Sequence, residues 1–263
     1  MALYIIGGNE DKEGSCTVLR RFVEAAGGEE AVLAVIPAAS GDPAGAGEEY
    51  RRVFTRLGAA RVEVVTFTSR REAAGADLVN ILESSTGIFL TGGDQLRLTA
   101  LLGGTELDRA LHRAYRRGAV VGGTSAGAAA MGTTMIVEGP GEEAPRAEVV
   151  RMAPGLGLIR EVMVDQHFAQ RGRLGRLLAA VAHNPYILGL GIDEDTAVLV
   201  DDRQRFMVYG SGAVTVVDGR EIDHSSISDA GTRPVALTGC RLHVLAASYG
   251  FDLALRRPLL PEV

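Results

Sequence analysis

Gly123-Thr124-Ser125-Ala126-Gly127 sets a hydroxyl between glycines in the order G-x-S-x-G. It follows an apolar strand at 119–121 and precedes a small-residue run at 126–131 that can start a helix. A strand, a sharp turn and a helix is the setting in which a serine is exposed as a nucleophile. Small neighbours allow the turn, so the Ser125 hydroxyl projects and the N–H of Ala126 points toward a developing oxyanion. The competing reading is a glycine-rich packing or phosphate turn.

A serine hydroxyl needs a base beside it. Of the five histidines, His112 falls inside a helical pattern and is expected at the surface, and His183 stands at a helix end, where an imidazole can cap carbonyls. His224 lies in a polar loop, and His243 alternates within a late strand. His167 follows an apolar strand at 161–164 and an acidic residue, at the carboxyl end where open α/β sheets carry their sites. It is the expected base. The base in turn needs an orienting carboxylate. Asp165, Asp193, Glu194 and Asp195 are available, the last three directly after the apolar run Leu188–Ile192. Periodicity does not choose among these three, and an acidic turn between strands is the alternative.

A second oxyanion donor is expected from another loop near the serine. Thr91-Gly92-Gly93-Asp94-Gln95 ends a strand at 87–90, and its glycine N–H groups can approach closely; a simple strand-to-helix turn would look the same. Arg171, Arg173 and Arg176 follow His167 within ten positions. Three planar forks there would hold acidic groups bidentately, whereas a solvated helix start in an arginine-rich chain is the plainer account.

The elements that must position these groups alternate along the first half of the chain. Apolar runs at 3–6, 31–36, 62–67, 87–90 and 119–121 interleave with helical spacing at 16–26, 49–57, 77–83, 96–101 and Glu106–Arg117. That alternation predicts a mostly parallel sheet flanked by helices. After about residue 135 it gives way to a Gly/Pro/acidic loop at 139–145, a helix at 174–182, strands at Leu188–Ile192 and Thr196–Val200, and runs at 206–208, 213–217 and 241–245. Turn signals such as Asp218-Gly219 make the last three read as antiparallel. No linker or repeat divides the 263 residues, so one α/β domain with a mixed sheet edge is expected.

Composition narrows the function. There are 27 basic residues against 33 acidic ones, for a net charge of −6, which argues against a nucleic-acid partner. Only one of the basic residues is a lysine, Lys12. Cys16 and Cys240 are too few for a disulfide scaffold or a thiolate metal cluster. The opening MALYIIGG lacks the length and basic flank of a signal peptide. No run approaches the ~20 apolar residues of a membrane span, so a cytoplasmic protein is expected. Gly7-Gly8 and Gly92-Gly93 could instead serve as phosphate turns of a nucleotide-binding module, but no G-x-G-x-x-G follows the first strand.

The segments 91–95, 122–128, 165–176 and 191–197, in that order and spacing, resemble the cyanophycinase family of serine peptidases, which is related to aspartyl dipeptidase. GGTSAGA is shared across the wider group, while DQHF…RGR.GR together with GIDEDTA is similar to the cyanophycinase branch in particular. The resemblance implies a flavodoxin-like or class I glutamine-amidotransferase-like α/β core, commonly dimeric, using no cofactor and no metal. It implies Ser125 as nucleophile, His167 as base and Glu194 as third member. It also implies that Gln95, Asp165, Gln166, Arg171, Arg173 and Arg176 contact substrate. The N–H groups of Gly93 and Ala126 would then form the oxyanion hole. The implied substrate is cyanophycin, or peptides containing β-aspartyl-arginine. An aspartyl dipeptidase-like exopeptidase is the alternative within the same chemistry, and it would be expected to lack the arginine-rich segment.

Overall fold

The computed structural model describes residues 1–261 apart from 140, 142, 143, 148, 149, 230 and 232. The loop expected at 139–145 lies partly outside the described residues. The chain opens as β1 (Ala2–Ile6), α1 (Thr17–Ala25), β2 (Val32–Ile36), α2 (Pro43–Arg56), β3 (Arg61–Val64), α3 (Ala76–Ser84), β4 (Gly87–Leu90), α4 (Gln95–Leu102), α5 (Glu106–Arg117), β5 (Val120–Thr124) and the single turn α6 (Ala126–Ala129). It continues as β6 (Thr134–Glu138), β7 (Arg151–Pro154), β8 (Val162–Asp165), α7 (Leu174–His183), β9 (Leu188–Ile192), β10 (Thr196–Val200), β11 (Arg205–Gly210) and β12 (Ala213–Asp218). Two-residue strands β13 (His224–Ser225) and β14 (Leu237–Thr238) precede β15 (Arg241–Ala246), β16 (Gly250–Asp252) and β17 (Arg257–Leu259).

Helix ends follow local chemistry. Thr105 caps α5 by accepting from the Asp108 N–H, and Gly118 ends it with φ 108°. Asp94 caps α4 through the N–H groups of Leu96 and Arg97. Helix α2 starts six residues before the expected 49, because Asp42 accepts from the Gly45 N–H and Pro43 fills the first helical position.

Among the described residues, nine strands form one sheet in the order β17-β16-β11-β10-β1-β5-β4-β2-β3. The five from β1 to β3 are parallel, and the four on the other side of β1 run antiparallel to their neighbours. A second sheet orders β15-β12-β9-β8, with β8 and β9 parallel. The expectation of a parallel-dominated α/β fold with antiparallel strands near the C-terminus holds, but two details change. Strands β11 and β12 belong to different sheets, and β12 pairs with β15 only after an excursion through β13 and β14, so Asp218-Gly219 closes no simple hairpin. Strand β5 also runs on through Gly122 and Gly123, which had read as the start of a turn. A Cβ on Gly122 would lie 2.6 Å from Phe22 Cε2, and one on Gly123 would lie 2.7 Å from Met131 Cε.

Connectivity brings the strand ends together at one rim. Ile6 at the end of β1 pairs with Thr124 at the end of β5 and with Ala197 near the start of β10. Leu90 at the end of β4 pairs with Gly123, and Asp165 at the end of β8 pairs with Gly191. The connection from β9 to β10 therefore crosses between the two sheets at this rim.

One face of the large sheet packs on an aromatic cluster. Phe89 lies 5.2 Å from Phe22, 4.8 Å from Tyr50 and 5.1 Å from Phe54, ring centre to ring centre. All four are buried. Phe89→Ala is expected to lower unfolding free energy by ~3–5 kcal/mol through lost burial and the cavity left behind. Leu242→Ala, at a position 46% exposed, should cost under ~0.5 kcal/mol; urea unfolding measures both.

Candidate active site

Ser125 sits where β5 turns into α6, with φ 51° and ψ −110°. A non-glycine residue is costly there, by roughly 1–3 kcal/mol, and keeps the conformation only when its surroundings fix it. The fixing groups are close. The Ser125 N–H donates to Ile6 O at 3.1 Å. A Cβ on Gly127 would fall 2.3 Å from Leu90 O, and one on Gly123 would fall 2.8 Å from the Gly127 carbonyl carbon. Both glycines of the motif let backbones touch, which throws the side chain between them outward.

The hydroxyl meets His167, with Ser125 Oγ 2.9 Å from Nε2. On the other side of the ring, Nδ1 is 2.7 Å from Glu194 Oε1. His167 adopts φ 48° after β8, and its N–H donates to Gly7 O at 2.8 Å. The geometry separates the three acidic residues that periodicity left equal. Asp193 is turned away, accepting from the N–H groups of Ala169 and Ala213, both at 3.0 Å. Asp195 accepts from the Asp11 N–H at 3.0 Å and the Ser211 hydroxyl at 2.8 Å. Glu194 alone of the three bonds the imidazole. None of the other four histidines bonds Ser125. His112 is half-buried rather than at the surface, with Nε2 2.9 Å from Leu156 O. His183 reaches Ala147 O at 3.2 Å and not a carbonyl of its own helix, and the His243 ring lies 5.4 Å from Phe251. Cys16 is buried and Cys240 half-buried, both as free thiols.

Two features were not visible in the sequence. Asn9 Nδ2 donates to Glu194 Oε2 at 2.8 Å, and Gln170 Oε1 accepts from the Glu194 N–H at 3.0 Å. Gly7 and Gly8, read as a possible phosphate turn, are filled by the protein itself. A Cβ on Gly7 would lie 1.9 Å from Asp193 O, and one on Gly8 would lie 2.4 Å from His167 Cε1. The pair lets β1 close onto the imidazole.

The Gly92-Gly93 turn lies against the serine, since a Cβ on Gly92 would be 4.0 Å from Ser125 Oγ. Gly93 needs its φ of 137°, where a Cβ would strike Ala39 O at 2.1 Å. Among the described residues no hydrogen bond engages the N–H of Gly93 or of Ala126. Gln95 donates from Nε2 to Ile136 O at 2.9 Å and Val137 O at 3.1 Å, tying α4 to β6.

Burial lowers the pKa of His167, opposed by the Glu194 hydrogen bond and reinforced by the charges of Arg171 and Arg173. The shift favours the neutral imidazole, the form in which Nε2 can accept a proton. Burial raises the pKa of Glu194, but hydrogen bonds from Asn9 and His167 outweigh it and hold the carboxyl below its usual range.

The arginine segment is neither a solvated helix start nor three free forks. Asp165, the last residue of β8, is 1% exposed. Arg176 grips it with Nε at 2.7 Å from Oδ2 and Nη2 on Oδ1, and sends Nη1 to Gly139 O at 3.0 Å. The carboxylate is enclosed, and each of the three guanidinium nitrogens has a protein partner, so the pair expected at the substrate is here engaged with the protein itself. Arg173 is also buried, and its Nη1 bonds Gln166 through both O and Oε1. Burial brings Arg173 down to about 10. Arg171 is exposed, and among the described residues its side chain makes no hydrogen bond or ion pair.

Three outcomes follow from these environments. Activity that needs neutral His167 falls as pH drops through its pKa, and since that pKa is lowered, the acid limb of kcat/KM should lie below the ordinary value of 6.5. Arg171→Gln removes a positive neighbour and should move the limb upward; pH–rate profiles check both. Arg176→Met should cost up to ~3–5 kcal/mol of folding stability, because it removes both close guanidinium bonds to buried Asp165 and leaves only the longer contact to Arg173 Nη1 at 3.5 Å. A guanidinium used only for ligand contact would leave urea unfolding nearly unchanged.

Comparison with known proteins places this arrangement. The sequence model of peptidase family S51 matches residues 3–208. A cyanophycinase of Nostoc sp. is 42% identical over 264 residues, spanning 100% of this chain and 88% of that protein. A cyanophycinase of Geminocystis herdmanii is 41% identical over 260 residues, spanning 98% and 96%. The crystal structure of a peptidase from an acI-B1 Actinobacterium shares the fold, with a TM-score of 0.69 at 20% identity and 96% of each chain covered. A putative peptidase E of Listeria monocytogenes aligns at a TM-score of 0.57 and 16% identity, over 80% of this chain and 98% of that one. The family match over most of the sequence, and relatives above 40% identity along nearly all of it, establish that the chain belongs to peptidase family S51 and is a serine peptidase.

Proposed function

We propose that this peptidase hydrolyses cyanophycin, a poly-aspartate backbone with arginine joined to each β-carboxyl, and releases β-Asp-Arg dipeptides. The observation that carries the chemistry is the row Ser125 Oγ, His167 Nε2 at 2.9 Å, then Nδ1 to Glu194 at 2.7 Å. The substrate assignment is supported by the relatives, 41–42% identical, that bear the name cyanophycinase.

In this reading Ser125 Oγ attacks the main-chain carbonyl as His167 Nε2 takes its proton. Glu194 keeps the imidazole in the tautomer with Nδ1 protonated and stabilises the imidazolium that forms. The uncommitted N–H groups of Gly93 and Ala126 receive the charge on the carbonyl oxygen. His167 then gives its proton to the leaving amine, and water, deprotonated by the same imidazole, releases the acyl-enzyme. The exposed guanidinium of Arg171 and the remaining donors of Arg173 hold substrate carboxylates, with Gln95 and Gln166 beside them. Asp165 and Arg176 act from behind, as a buried support for the segment that carries them.

No helix among the described residues is long and apolar enough to cross a membrane. A single domain over 1–263, a homodimer and a cytoplasmic location complete the reading; sedimentation equilibrium tests the dimer.

Incubation with purified cyanophycin followed by mass analysis should yield β-Asp-Arg, and free arginine as the main product would contradict the proposed bond. Ser125→Ala should lower turnover by about 10⁴-fold or more while leaving the melting temperature within a few degrees. Glu194→Gln should also cripple kcat. Asp193→Asn and Asp195→Asn should act mainly on stability; a dead Asp193→Asn beside an active Glu194→Gln would show that the wrong carboxylate has been chosen.

A further inference from the structure

The four residues after β1 touch every member of the Ser125–His167–Glu194 row or its immediate neighbour. Gly7 accepts from the His167 N–H, Gly8 lies under the imidazole, and Asn9 holds the second oxygen of Glu194. Glu10 reaches the opposite end. Its Oε2 accepts from the hydroxyl of Thr124, the residue before Ser125, at 2.6 Å, and its Oε1 accepts from the Tyr50 hydroxyl. Glu10 is 5% exposed, and among the described residues no cation pairs with it. The one lysine, Lys12, stands 4.7 Å over the Tyr50 ring and pairs with Glu49 instead.

A buried carboxylate is costly unless hydrogen bonds replace its hydration. Glu10 has two hydroxyl donors, and one of them belongs to the residue whose backbone leads into the strained φ of Ser125. Such a backbone persists only where its neighbours over-determine it. At the other end the Glu194 side chain is 26% exposed. One bond to His167 fixes one oxygen, and the Asn9 bond to the other oxygen fixes the carboxylate plane. Asn9 itself stands at φ 46°, a conformation that Asn and Asp tolerate better than most residues.

We propose that Asn9 and Glu10 are positioning residues that brace the row from its two ends, so that substrate meets it already assembled. The inference rests on the reading of Ser125, His167 and Glu194 as the catalytic row, and its test is chosen to be independent of the substrate. Phenylmethylsulfonyl fluoride reports on the row directly: Ser125 Oγ forms the bond to sulfur, fluoride leaves, and the hydroxyl proton passes to His167. Its rate is read by intact mass, alongside kcat and KM on cyanophycin.

The charges that face the imidazole are Glu194, Arg171 and Arg173. Asn9→Asp adds a negative charge beside Glu194 and should move the acid limb of sulfonylation upward by roughly half a pH unit or more. Glu10→Ala and Thr124→Val should each slow sulfonylation and kcat about tenfold, with KM within about twofold, and the double variant should be no slower than the worse single one. Glu10→Gln keeps one acceptor oxygen and can meet the other hydroxyl only as a donor, so it should restore part of the rate. If Glu10→Ala does not fold, Thr124→Val decides that end alone.

An Asn9→Asp profile that overlays the wild type would overturn the brace, as would Thr124→Val or a folded Glu10→Ala reacting at the wild-type rate. A wild type that reacts at Ser125 yet leaves cyanophycin intact would remove the substrate assignment and leave the brace to the sulfonylation rates. A wild type that does not react at Ser125 would overturn the nucleophile reading and the brace together.

Discussion

His167 has to meet a hydroxyl delivered by one sheet and a carboxylate delivered by the connection between two. Ser125 hangs from the end of β5 in the large sheet, His167 follows β8 in the small one, and Glu194 lies on the crossing from β9 to β10. Hydrogen bonds of 2.9 and 2.7 Å tolerate little error in how the sheets are joined. The rest of the rim can be understood as meeting that tolerance. Strand β1 pairs with β5 on one side and β10 on the other, and its trailing Gly7 and Gly8 close on the imidazole without side chains in the way. Asp193 and Asp195, the two neighbours of Glu194, are both anchored by backbone N–H groups, so the crossing is held on each side of the residue that faces the ring.

The same demand accounts for the charges beneath the site. Burying Asp165 at the end of β8 is unfavourable unless a partner is buried with it, and Arg176 from α7 supplies one in bidentate geometry. That pair ties the start of α7 to the strand that launches His167. Arg173, one turn earlier, bonds Gln166 and leaves the sequence from 165 to 176 folded back on itself. The positive groups that result act on the imidazole as well, adding to burial in keeping it unprotonated. Structural support and the electrostatic setting of the imidazole are thus carried by one short segment.

Much of this was legible in the sequence, for identifiable reasons. Gly87–Leu90, Leu188–Ile192, Thr196–Val200 and Glu106–Arg117 coincide with their elements because each is an unbroken apolar run or a clean helical stripe with chemical punctuation at its ends. Strands β6, β7, β16 and β17 were not anticipated, being short and mixed in polarity, so that no clean apolar run or alternation marks them. Gly122 and Gly123 misled the reading because glycine signals a turn locally, whereas here it admits Phe22 and the α6 backbone. At the site, Ser125 and His167 carry strong local signals. Choosing Glu194 over its neighbours required knowing which way each carboxylate points, or the family resemblance. The enclosed Asp165–Arg176 pair reads in sequence like any charged segment, and Asn9 and Glu10 act across 185 and 114 positions, where no local pattern records a contact.

The central claim is that Ser125 becomes covalently acylated during turnover. Acid quenching in the first turnovers on cyanophycin, followed by proteolysis and mass mapping, tests it directly. The account predicts a transient adduct on the peptide that contains Ser125, with the mass of the acyl portion of the polymer, decaying as dipeptide appears. An adduct on another residue, or full turnover with no adduct and solvent oxygen entering the product in a single step, would contradict it.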